Sequence, residues 1–77
     1  MSNVNFGQAI EVLKQGGRVA REGWNSKGMF LFYVDRPESY WGCEGLNWIG
    51  MKTADNKVVP WLASQTDILA EDWVLLD

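Results

Sequence analysis

The stretch from Asn5 to Gly17 limits the folds open to this chain more than any other. Asn5 followed three residues later by Gln8 has the form of a capping box, and Phe6, Ala9, Ile10 and Leu13 recur at helical spacing on one face. Gly16-Gly17 ends the pattern as a helix C-cap does. A helix this short is not stable alone, so its apolar stripe has to lie on a sheet.

The remaining sequence supplies that sheet. Arg18 to Arg21 reads as a short strand leading into Gly23-Trp24-Asn25. A turn through Asn25-Ser26-Lys27-Gly28 opens the strongest strand signal, Met29 to Val34, dense in aromatics and bounded by Gly28 and Asp35. The two segments are expected to pair as a hairpin, with Trp24 near its tip as either a lid over the core or a stacking surface. Asp35 to Gly45 is a long polar loop that carries Tyr40 and Trp41. Leu46 to Thr53 is a further strand, Ala54-Asp55-Asn56-Lys57 a turn, and Val58 to Trp61 the return. Pro60 lacks an N–H for the ladder, which places that strand at an edge or ends it there. Ser64, Thr66 or Asp67 can cap a single helical turn through Ile68-Leu69-Ala70, and Trp73 to Leu76 closes the chain as a last strand. The expected fold is α+β: a short N-terminal helix packed on an antiparallel sheet of about five strands, one small domain over residues 1–77.

Composition narrows the function. The chain has no histidine, the commonest general base and metal ligand, and a single cysteine, Cys43, which excludes an intrachain disulfide and a Cys/His metal cluster. Any chemistry would rest on carboxylates, lysines or tyrosines. A lone thiol, a start without a signal-peptide pattern and the lack of a membrane-length apolar run lead us to expect a soluble cytoplasmic protein with no metal, no cofactor and no membrane partner. A net charge of −3 disfavours duplex nucleic acid as a partner. The charge is uneven: Lys14, Arg18, Arg21 and Lys27 lie in the first third, whereas Asp67, Glu71, Asp72 and Asp77 have no basic neighbour in sequence. A hydrophobic fraction of 47% is high for a domain with so little core to fill, and self-association is the expected remedy.

Met51 to Trp73 holds the clearest functional pattern. The indoles of Trp61 and Trp73 flank the polar string Ser64-Gln65-Thr66-Asp67, a combination that suits a planar polar ligand. The same residues also fit a second use, with both indoles in the core and the string capping a helical turn.

Gly23-Trp24-Asn25, Lys27-Gly28-Met29, Met51-Lys-Thr-Ala-Asp55, Val59-Pro-Trp-Leu-Ala-Ser-Gln-Thr-Asp67 and Leu69-Ala-Glu-Asp-Trp73 resemble, over nearly the whole chain, a family of small phage and bacterial proteins that counter Thoeris defence: the second type of Thoeris anti-defence protein. Asn56 stands where that family usually has glycine, a substitution compatible with positive φ, and the Asp35 to Gly45 loop departs from the family pattern. The resemblance implies a sponge. Such proteins bind cyclic nucleotide immune signals, chiefly glyco-cyclic ADP-ribose and in some members cyclic dinucleotides at separate pockets, and hold them uncleaved. It also implies a homotetramer with ligand pockets between subunits, in the cytoplasm of an infected or lysogenic bacterium.

On that reading Trp24, Trp61 and Trp73 are candidate stacking faces for adenine. Asn25, Gln65, Thr66 and Asp67 are candidates for the ribose hydroxyls, and Arg18, Arg21, Lys27 or the turn from Ser64 to Asp67 for the pyrophosphate. No catalytic residue is expected. Two other classes stay open: a hydrolase of the signal using Asp67, Glu71 or Asp72, and a protein-binding module built on the aromatics and the acidic tail.

Overall fold

The computed structural model describes residues 3–24, 28–35 and 38–76. Helix α1 (Phe6–Lys14) is followed by strands β1 (Val19–Arg21), β2 (Phe30–Val34), β3 (Trp48–Lys52) and β4 (Val58–Pro60), the short helix α2 (Gln65–Leu69) and strand β5 (Trp73–Leu75). All strand pairs are antiparallel, in the order β4-β3-β2-β1-β5. The expected α+β class, the β1–β2 pairing and the edge position of the Pro60 strand are all present.

Local sequence accounts for the ends of α1. The Asn5 side chain accepts from the Gln8 N–H at 2.9 Å, and the Asn5 N–H donates to Gln8 Oε1 at 3.0 Å, so the capping box is complete. At the other end the Gly16 N–H donates to the Leu13 carbonyl and the Gly17 N–H to the Val12 carbonyl, the paired bonds of a Schellman motif, with Gly16 at φ +94°. A Cβ at Gly16 meets no atom within 4 Å, so backbone conformation alone demands glycine there. Gly16→Ala is therefore expected to destabilise the protein by about 1–2 kcal/mol without altering the core, as read from a thermal melt. The Asn56 turn uses the same conformation, at φ +64°.

Register sets the core. Val19 opposes Leu31 and Leu75, Leu31 opposes Met51, and Tyr33 opposes Ile49, so these side chains share the face on which α1 lays Ala9 and Leu13. Trp73 completes the buried cluster. The opposite face carries Phe30, Phe32 and Trp48, with Arg18 over the Phe30 ring at 5.0 Å. Gly50 lies beneath Phe32, whose ring would stand 2.7 Å from a Cβ at that position. Beyond Pro60, the Trp61 N–H still donates to the Ile49 carbonyl, which carries the edge pairing as far as the first indole of the polar stretch. The open side of β5 is partly covered by Val4, which exchanges both backbone hydrogen bonds with Trp73.

The second helical turn begins earlier than sequence placed it. Expected over Ile68 to Ala70, it runs from Gln65 to Leu69 with Ser64 as N-cap and Ala70 as C-cap. Ser64 and Asp67 form a second capping box, in which the three-residue spacing fixes the start of the helix immediately after Ser64.

Candidate functional site

Three indoles that are far apart in sequence meet beside the β1–β5 pair. Trp73 stands at their centre, with Trp24 packed on it at 5.6 Å between centroids and 80°, and Trp61 at 5.9 Å and 86°. Phe6, from the first turn of α1, touches both Trp73 and Trp61 at 5.5 and 6.1 Å. The edge-on contacts of Trp24 and Trp61 with Trp73 are favoured by the ring quadrupoles. They hold Trp24 and Trp61 against the core while leaving part of each in solvent. Trp73 itself is 0% exposed, so the residue expected as a stacking face is a core side chain on which the other two indoles rest.

Next to the indoles, α2 presents Gln65 and Thr66 to solvent, with Ser64 exposed at its cap. Asp67 turns inward. One of its carboxylate oxygens accepts from Arg21 Nη1 at 2.8 Å, and the other accepts from Ser64 Oγ at 2.9 Å and the Ser64 N–H at 3.3 Å. The Asp67 carbonyl accepts from Trp73 Nε1 at 3.0 Å. Arg21 also donates through Nε to Asp72 at 2.5 Å and through Nη2 to the second Asp72 oxygen at 3.5 Å. The guanidinium pKa is raised above its ordinary value, first by the hydrogen bond to Asp72 and, against desolvation, also by Asp67.

The acidic stretch that has no basic neighbour in sequence thus takes its cation from β1, 46 and 51 residues away. Two carboxylates enclose one guanidinium, so Arg21 brings no surplus positive charge to a phosphate. Arg18 is directed at Phe30 on the opposite face of the sheet. Asn25 and Lys27 lie outside the described residues. Among the described residues there is no enclosed pocket and no cluster of potential metal ligands, and no helix is long and apolar enough to cross a membrane.

The structure therefore brings together Trp24, Trp61, Trp73, Ser64 and Asp67, with Gln65 and Thr66 exposed alongside. Phe6, Arg21 and Asp72 join them. In sequence Phe6 belongs to the core stripe, Arg21 to a charge patch and to the candidates for the pyrophosphate, and Asp72 to the candidate hydrolase carboxylates; no local pattern signals that Phe6 or Arg21 reaches the polar turn.

What these elements define is a small α+β domain with a joint aromatic and polar surface where β1, α2 and β5 meet. The family model for the Thoeris anti-defense 2-like domain matches residues 4–76, and the chain belongs to that family. It is 45% identical, over an 89-residue alignment, to the Thoeris anti-defense 2 protein of Bacillus phage SP01, with 94% of this chain and 93% of that protein covered.

Proposed function

We propose that this protein opposes Thoeris defence by binding a cyclic nucleotide signal, glyco-cyclic ADP-ribose in the first instance, and holding it uncleaved. The observation that carries this reading is the placement of two partly exposed indoles, Trp24 and Trp61, and a capped turn with solvent-exposed Gln65 and Thr66 around one buried support, Trp73. A base needs an aromatic face and a ribose needs short polar groups at fixed places. Ser64, the cap of the same turn, extends the proposed site, and Asn25 and Lys27, which follow Trp24 in sequence, are proposed as further ligand contacts.

Holding is favoured over cutting by the carboxylates. Hydrolysis of a glycosidic linkage needs one carboxyl group to give a proton and another to act as base or nucleophile. Here Asp67 and Asp72 share the Arg21 guanidinium, and Glu71 is exposed. An open surface binds a small ligand poorly, so the proposed pocket is completed by a second copy of the chain in a homotetramer. Leu62 and Leu69, 90% and 75% exposed next to the polar turn, are suited to be covered by such a copy. Cyclic dinucleotides are the second proposed ligand class.

Two measurements test this reading. Purified protein mixed with glyco-cyclic ADP-ribose and then removed by filtration is expected to deplete the nucleotide from the filtrate in proportion to protein added. A filtrate with undiminished nucleotide would contradict the proposal and favour a protein-binding module. Light scattering is expected to give the mass of a tetramer, and a monomer mass at micromolar concentration would remove the shared pocket.

A further inference from the structure

Asp67 is the residue through which α2 is fastened to the rest of the molecule. Its two carboxylate oxygens accept from Arg21 and from Ser64, and its carbonyl accepts from the Trp73 indole. The helix has five residues and buries none of them, so neither propensity nor packing of its own holds it in place. Arg21 links this fastening to the other half of the site. Its carbonyl accepts from the Trp24 N–H at 2.9 Å, and its guanidinium holds Asp72, the residue that precedes buried Trp73. A planar fork of this kind fixes direction as well as distance.

We infer that Arg21 is a positioning residue of the proposed nucleotide site and that Asp67 acts through it. The Arg21–Asp67 pair sets where α2 presents Gln65 and Thr66 relative to Trp24, and neither charged group touches the ligand. The inference rests on the proposed nucleotide-binding reading for its effect on affinity, but not for its effect on the free protein.

The experiment is a double-mutant cycle on the assembled protein, using Arg21→Gln, Asp67→Asn and the double variant, titrated calorimetrically with glyco-cyclic ADP-ribose. Each single change is expected to weaken binding by about ten- to a hundredfold, the range for a lost charged hydrogen bond. The double variant is expected to bind within about threefold of the weaker single variant, because the two residues form one interaction. Losses that multiply would overturn the inference, since they would show Asp67 meeting the ligand directly.

In the ligand-free protein, solvent exchange of the Trp73 indole N–H, followed by NMR, is expected to speed up at least about tenfold in Arg21→Gln as α2 loosens. Unchanged exchange would overturn the inference whatever the binding result. If the unaltered protein binds no nucleotide, the proposed function fails, and this exchange measurement still decides whether Arg21 holds α2. Should Arg21→Gln not fold, Arg21→Lys keeps the charge and loses the fork. Intermediate exchange and affinity are then expected, and values equal to those of the unaltered protein would overturn the role given to the fork.

Discussion

Trp73→Ala is expected to unfold the protein or leave it barely folded. The indole is wholly buried, is packed against Phe6, Trp24 and Trp61, and donates its N–H to the Asp67 carbonyl. Truncating a buried tryptophan costs about 3–5 kcal/mol. A domain of this size starts from a total of about 5–15 kcal/mol, so the loss is a large share of the whole. The thermal midpoint from circular dichroism should fall steeply, and nucleotide binding should disappear with the fold. A Trp73→Ala protein that melts like the unaltered one but no longer binds would assign the indole to the ligand instead of the core.

Trp24→Ala should behave differently. Trp24 rests edge-on against Trp73 but keeps part of its surface in solvent, so it is both a lid on the core and an available face. Stability should fall by less than in Trp73→Ala, and the protein should remain folded. Loss of a stacked base costs roughly 1–3 kcal/mol, or about one to two decades in affinity. If the protein acts by the proposed stoichiometric capture, such a loss should abolish protection in infected cells. Melting and titration of the same preparation separate the two contributions. Unchanged affinity in a folded Trp24→Ala protein would remove Trp24 from the site.

The difference between these two tryptophans was not legible in the sequence. Trp24 lies in the turn after β1 and Trp73 opens β5, and alternation along a strand shows which residues share a face without showing which face is covered. Burial of Trp73 follows from the Arg21–Trp73 register of β1 with β5 and from the arrival of Phe6 on α1, both long-range facts. The helix from Phe6 to Lys14, by contrast, could be read directly, because the capping box, the apolar spacing and Gly16 are local signals that agree. The β3–β4 hairpin was readable for the same reason, with Asn56 at positive φ in its turn and Pro60 at the sheet edge.

In the candidate site, the polar string and its flanking indoles stood out as a pattern, whereas the inward turn of Asp67 did not. Its carboxylate had three uses open in sequence, a helix cap, a ligand contact or a hydrolase's acid or base, and the structure pairs it with Ser64 and with Arg21. A pairing across 46 residues has no sequence period to reveal it. The Asp35 to Gly45 loop shows the same limit. Tyr40 and Cys43 pair across a two-residue turn in which both Trp41 and Gly42 have positive φ, leaving the Trp41 indole 99% exposed. A tryptophan in that conformation is not foreseen from local preference.

Whether the signal is held or destroyed is decided by what the protein gives back. Protein saturated with glyco-cyclic ADP-ribose, washed free of unbound nucleotide and then denatured by heat, should release the intact cyclic molecule in an amount matching that captured, as identified by mass spectrometry. Release of a linear or cleaved product, absent from a heated protein-free control, would rule out sequestration and make the protein an enzyme.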